Sequence, residues 1–209
     1  MTANQDFNRY LGETPLVAII RGVTPDEVEA IGEALFAGGI RIVEVPLNSP
    51  DPLASIRRLA ARLKGRALVG AGTVLDEKQV AQVAEAGGRI VVSPSTDAAV
   101  IRATVAAGMV SSPGYFTPSE AFEALKAGAH ALKLFPAEGA SPTVLKAQKA
   151  VLPKDVPVLA VGGIQPDTMR PWLDAGAAGF GLGGGVYKPG QSPEDTERKA
   201  RAYVAGLTA

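Results

Sequence analysis

The chain has 209 residues, 46% hydrophobic and 20% charged, enough apolar material for one globular domain with a substantial core. Lys plus Arg and Asp plus Glu both total 21, so the net charge is zero and gives no electrostatic reason to expect nucleic acid or an anionic membrane as partner. With no cysteine and one histidine, disulfides and thiolate metal sites are excluded and a tight transition-metal centre is disfavoured.

The opening "MTANQDFNRYLGETP" lacks the apolar core of a signal peptide, and no apolar run approaches the ~18 residues of a membrane span. The expectation is a soluble, cytoplasmic protein whose first dozen residues form a short helix closing the bottom of the fold. The first strand is "LVAIIRG". "TPDEVEAIGEALFAGG" then reads as a helix, with Thr24 as N-cap, Pro25 at the first helical position and Glu27 closing a capping box. Val28, Ile31 and Leu35 share its apolar face, and the glycine pair stops it. Strand-like runs follow at "IRIVEVPL", "RALVGAGT", "RIVVSP" and "MVSSPG". "TPSEAFEALKAGA" repeats the helix design with Thr117, Pro118 and Glu120, and offers Phe122 and Leu125 as its apolar residues. "AHALKLFP", "VPVLAVGG" and "AAGFGLGG" complete eight strands, five of them preceded by an Ala-Gly pair. Alternating strands and helices predict a parallel sheet covered by helices, best satisfied by one (β/α)8 TIM barrel domain over residues 1–209; an open doubly wound sheet is the alternative.

Strand side chains alternate between the barrel interior and the helix layer. Placing Val43 and Val45 under the helices turns Glu44 inward, and placing Leu132 and Leu134 there turns Lys133 inward. Arg21 ends the first strand and Thr73 the third, so all four fall toward the C-terminal strand ends, where such barrels carry their active sites. Desolvation and a nearby guanidinium lower a lysine pKa, and a neutral amine attacks a ketone to form a Schiff base. The iminium accepts electrons from a breaking carbon–carbon bond, Glu44 can move the protons, and Arg21 can hold a 2-oxo acid carboxylate. The competing reading of Lys133 and Glu44 is a buried ion pair, which is a poor stabiliser. Arg21 could instead bind loop carbonyls, and Thr73 could cap the next helix.

Gly162-Gly163 and Gly183-Gly184-Gly185 follow the seventh and eighth strands, where loops of this fold often hold phosphate. They are not a Walker loop, since no Gly-Lys-Ser/Thr ending follows. His130 precedes its strand and suits a surface or helix-end role; Trp172 is expected against the sheet; Lys146 and Lys149 are expected on a solvated helix face.

Together "AIIRGVTPDE", "VEVPLNSP", "GAGTVL", "ALKLFPA", "AVGGI" and "GLGGGVYKPGQS" resemble the 2-keto-3-deoxy-6-phosphogluconate and 6-phosphogalactonate aldolases, from about Pro15 to Gln191. The resemblance implies Lys133 as the Schiff-base lysine, Glu44 as the acid/base group, and Arg21 and Thr73 at the pyruvate end. It adds Pro94 and Val161 to the substrate-binding positions, beside Gly162, Gly163, Gly183 and Gly184. It further implies a cytoplasmic homotrimer that uses pyruvate and a phosphorylated 2-keto-3-deoxy sugar acid and needs no cofactor or metal. "PLNSP" and Val161, where the gluconate enzymes tend to carry "TLRTP" and Thr, favour the galactonate branch. Relatives usually carry Ser in the last glycine loop, so Gly184 leaves the grip on the 6-phosphate weaker and an unphosphorylated acid as an alternative substrate. A non-imine phosphosugar isomerase or synthase, or a barrel that only binds a phosphosugar, are the competing functions.

Overall fold

The computed structural model describes residues 2–208. The chain opens with α1 (Ala3–Glu13), capped by Thr2 and Gln5 in reciprocal hydrogen bonds. Strands and helices then alternate: β1 (Leu16–Ile19), α2 (Val28–Ala37), β2 (Ile42–Pro46), α3 (Pro52–Arg62), β3 (Leu68–Gly72), α4 (Glu77–Glu85), β4 (Ile90–Val92) and α5 (Ala98–Ala106). The second half holds β5 (Val110–Ser112), β6 (Gly114–Tyr115), α6 (Pro118–Lys126), β7 (Leu132–Leu134), α7 (Pro142–Lys149), β8 (Val158–Val161), α8 (Met169–Asp174), β9 (Gly179–Leu182) and α9 (Pro193–Gly206).

The strands form one parallel sheet in the order β5-β4-β3-β2-β1-β9-β8-β7-β6. β5 and β6 are two halves of the predicted fifth strand, interrupted at Pro113, which has no N–H to give to a ladder. The interruption does not open the ring. The N–H groups of His130 and Ala131 donate to the Ser111 carbonyl at 2.9 and 3.3 Å, and that of Lys133 donates to the Pro113 carbonyl at 2.9 Å. The expected eight-stranded barrel is therefore present.

Side-chain alternation divides the apolar residues into two clusters. Val43, Val45, Leu132 and Leu134 pack outward under the helices. Val17, Ile19, Ile42, Leu68, Ile90, Val110, Ala131 and Leu159 fill the barrel, and Ala3, Phe7 and Tyr10 of α1 join them from the N-terminal end. The first helix thus seals the bottom of the ring, as expected, and Tyr10 fixes it by donating its hydroxyl to the Gly65 carbonyl at 3.0 Å.

Local expectations were met unevenly. The capping box of α6 is complete, with Thr117 and Glu120 bonded both ways. Its sheet-facing residues are Ala121 and Ala124, however, while Phe122 is 37% exposed and Leu125 only partly buried; the tight approach of this helix admits methyl groups and turns the larger side chains aside. α2 begins at Val28, three residues later than predicted, without a side-chain cap from Thr24. Glu27 accepts from the Thr24 N–H at 2.9 Å, and the same oxygen accepts from the Tyr187 hydroxyl at 2.9 Å. That carboxylate serves as a tether between two loops, and residues 24–27 remain a turn. Trp172 is buried as expected. Lys149 is half-buried, its ammonium donating to the Val156 carbonyl at 3.0 Å, so only Lys146 is fully solvated. Among the described residues no helix is long and apolar enough to cross a membrane.

Candidate active site

Lys133 is the central residue of β7, and its neighbour two positions back, Ala131, belongs to the interior cluster. Alternation therefore aims the lysine into the barrel. It is only 7% exposed, and its Nζ lies 4.5 Å from the centroid of the Phe135 ring, which is set at the top of the same strand. Burial pushes the Lys133 pKa down; Glu44 opposes that shift and Arg21 adds to it.

Glu44 follows the same logic on β2, two residues after the interior Ile42, and is 2% exposed. The neighbouring strand β3 carries glycine where it faces this carboxylate. A Cβ on Gly72 would stand 1.9 Å from Glu44 Oε2, so the missing side chain is what makes room for the acid. Burial pushes the Glu44 carboxyl up to about 7, although Lys133 and Arg21 both draw it down. Among the described residues Oε2 has no hydrogen-bond partner.

Arg21 follows β1 and bridges the next two loops. Its Nη1 donates to Asn48 Oδ1, and both terminal nitrogens lie 3.5 Å from Thr73 Oγ1. Ser49 Oγ accepts from the Gly22 N–H at 2.9 Å, a second tie between the same loops. Thr73 is not the cap of α4, since Asp76 takes that role by accepting from the Gln79 N–H at 2.7 Å. Thr73 has φ +57°, a left-handed conformation that a β-branched residue rarely adopts.

A cavity of about 590 Å³ opens at the C-terminal end of the barrel. Arg21, Thr73, Pro94, Lys133, Val161, Gly162, Gly163, Gly183 and Gly184 all line it, so nine of the ten residues singled out from the sequence meet at one mouth. Glu44, the tenth, is in the layer below and lines a small interior void together with Lys133. A larger cleft, about 770 Å³, includes Asp6 of α1, Arg57 of α3 and Glu85 of α4, and none of the ten reaches it. Among the described residues no three His, Cys, Asp or Glu side chains converge as a metal site would need.

Four cavity or loop residues escaped the sequence reading. Phe135 carries a legible signal, since it stands two residues after Lys133 and so shares its side of the strand. Asn48 lies in "PLNSP" and becomes meaningful only once the loop folds against Arg21. Lys188 lines the rim beside Gly184. Glu138 lies against the loop after β8: a Cβ on Gly162 would meet its Oε2 at 2.0 Å, and Gly162 has φ +120°. The glycine at 162 thus has a local structural cause besides any ligand.

The arrangement joins an amine biased toward its neutral form with a carboxyl that exchanges protons near pH 7. A guanidinium and four cavity-lining glycines stand at the same end of the barrel. Such a set can condense with a ketone, stabilise a carbanion as an enamine and shuttle protons.

Known proteins match this chain closely. A 2-dehydro-3-deoxy-6-phosphogalactonate aldolase of Escherichia coli is 48% identical over 190 residues, covering 91% of this chain and 93% of the relative. The solved structure described as native KDPGal superposes with a TM-score of 0.92 at 46% identity, covering 94% of this chain and 95% of that one. A KDPG aldolase of Legionella pneumophila, solved with pyruvate captured as a covalent carbinolamine, superposes with a TM-score of 0.83 at 28% identity, over 93% and 96% of the two chains. The KDPG and KHG aldolase family model spans residues 7–198, and the chain belongs to that family.

Proposed function

We propose that the protein is a class I aldolase that cleaves 2-dehydro-3-deoxy-6-phosphogalactonate to pyruvate and D-glyceraldehyde 3-phosphate. The observation that carries this reading is the buried Lys133 amine sharing one barrel end with Glu44 and Arg21. In the forward direction Lys133 Nζ adds to the C2 ketone, and the carbinolamine loses water to give an iminium. Glu44 accepts the proton of the C4 hydroxyl, directly or through a water, and the C3–C4 bond breaks. Its electron pair moves into the iminium, which becomes an enamine, and the aldehyde departs. The proton returns to C3, and water hydrolyses the imine to release pyruvate and the free amine.

In this reading Arg21, held by Asn48 and near Thr73, takes the substrate carboxylate, and Pro94 closes the wall beside it. Gly162, Gly163, Gly183 and Gly184 present backbone N–H groups to the 6-phosphate, and Val161 lies beside the sugar hydroxyl. The galactonate substrate is favoured by the 48% identity to a 2-dehydro-3-deoxy-6-phosphogalactonate aldolase. We further propose a single-domain cytoplasmic homotrimer that works without metal or cofactor.

The test is turnover. Purified protein should release equimolar pyruvate and glyceraldehyde 3-phosphate from the phosphogalactonate substrate, with a higher kcat/KM than for its C4 epimer. Lys133→Met should abolish release while circular dichroism stays unchanged. Retained cleavage in that variant would remove the proposed nucleophile, and an inverted epimer ratio would move the chain to the gluconate branch.

A further inference from the structure

The loop after β1 carries Arg21, the proposed grip on the carboxylate, and the loop after β9 carries Gly183 and Gly184, half of the proposed grip on the phosphate. Above the β1–β9 strand pairing, two contacts fasten these loops to each other. The Tyr187 hydroxyl donates to Glu27 Oε1 at 2.9 Å, and the same oxygen accepts from the Thr24 N–H at 2.9 Å. Nearer the cavity, Gly22 lies against Pro189, where a Cβ would stand 2.6 Å from Pro189 Cγ. Tyr187 is 2% exposed and forms part of the cavity wall, while Glu27 stands outside the cavity. Neither residue has a part in the proposed chemistry.

The phenol is coupled to the glycine turn through the backbone. The N–H groups of Val186 and Tyr187 both donate to the Gly183 carbonyl, at 3.0 and 3.2 Å, so residues 183–187 close into one compact turn. A second tyrosine joins that turn to the other glycine loop. Tyr203 of α9 donates its hydroxyl to the Ile164 carbonyl at 2.9 Å, and a Cβ on Gly185 would stand 2.0 Å from that same hydroxyl oxygen. The glycine loops after β8 and β9 are thus braced as one unit by Tyr203. The tie from that unit to the Arg21 loop runs through Tyr187 and Pro189.

We propose that Glu27 and Tyr187 are positioning residues that set the span between the two anion grips. A ligand with a carboxylate at one end and a phosphate at the other is then held with its ketone at Lys133. Fixing reacting groups in this way lowers the barrier by removing motion that would otherwise be lost on reaction. The clasp itself is a hydrogen bond to a carboxylate, among the stronger kinds, made by a phenol that burial shields from competing water. The span rests on the aldolase reading. It has a signature of its own, because a span matters only to a ligand that touches both ends.

The experiment compares a ligand that reaches both grips with two that reach one. Tyr187→Phe should raise KM for the phosphorylated substrate about tenfold, while the inhibition constants of pyruvate and of inorganic phosphate stay within about twofold of wild type. Glu27→Ala should do the same, and it keeps the test alive should Tyr187→Phe fail to fold. Glu27→Gln, which keeps an acceptor oxygen, should remain within about twofold of wild type in all three constants. An unmoved KM in Tyr187→Phe or Glu27→Ala would overturn the span, and so would inhibition constants that rise in step with KM, the mark of general loosening. Failure of phosphate to inhibit the wild type would remove the second grip and the span with it. Amide exchange in the ligand-free protein reads the clasp without turnover: the amides of residues 186 and 187 should exchange about tenfold faster in Tyr187→Phe, and exchange as slow as in wild type would overturn the clasp. A wild type without turnover removes the aldolase reading, a result distinct from active enzyme whose KM ignores the phenol.

Discussion

Replacing Gly72 with alanine adds one methyl group at the place where the catalytic proposal is most sensitive. The new Cβ would stand 1.9 Å from Glu44 Oε2 and 2.3 Å from both Oε1 and Cδ. Restoring even a tight van der Waals contact near 3.4 Å requires a displacement of roughly 1.5 Å. Gly72 is not in the left-handed region, so the alanine strains no dihedral and its effect is purely steric. Glu44 is 2% exposed, so relieving that overlap requires the carboxylate or β3 to move. Overpacking of this kind costs about 1–3 kcal/mol of stability. Misplacing a catalytic group by about 1 Å costs on the order of a hundredfold in rate. Gly72→Ala should therefore lose about a hundredfold in kcat, with a fall of a few degrees in Tm and continued imine formation at Lys133. Pyruvate release followed through lactate dehydrogenase, together with a thermal melt, gives both numbers. A kcat within threefold of wild type would show that the Glu44 carboxylate is not held where the reaction needs it.

Other positions test separate parts of the account. A Cβ on Gly183 meets nothing within 4 Å, so Gly183→Ala should leave Tm unchanged while raising KM for the phosphorylated substrate about tenfold or more; an unaltered KM would take the phosphate away from this loop. Glu44 titrates near pH 7 in the folded protein, so kcat should climb as pH rises through that value, and Glu44→Gln should lose this limb along with about a hundredfold or more in rate. The same shift affects stability. Because the folded-state proton affinity is raised, the favourable contribution of Glu44 is complete below its ordinary value of 4.5 and disappears as pH rises through about 7. Melts of Glu44→Gln between pH 5 and 8 should consequently show a smaller decline in Tm than wild type, and parallel declines would contradict the burial argument.

Alternation along short strands made most of this site legible. Val43 and Val45 fixed the direction of Glu44, Leu132 and Leu134 fixed that of Lys133, and the barrel topology supplied the end at which they meet. Features that depend on contacts between distant loops were hidden. Nothing local in "PLNSP" announces that Asn48 will hold Arg21, and nothing in "FPAEG" places Glu138 against Gly162. Thr73 reads as a helix cap on propensity, yet its left-handed backbone and the cap at Asp76 follow from how β3 meets the cavity. The late start of α2 has a similar origin, since the Glu27 carboxylate also bonds Tyr187, 160 residues away along the chain. The division of the fifth strand at Pro113 could have been read from the missing N–H.

Covalent trapping tests the central claim most directly. Wild-type protein and Lys133→Met are incubated with pyruvate, reduced with borohydride, digested and mapped by mass spectrometry. The account predicts one reduced pyruvate adduct on the peptide containing Lys133, absent from the variant and reduced in yield when substrate competes. An adduct on another lysine, or none in a protein that cleaves its substrate, would contradict it.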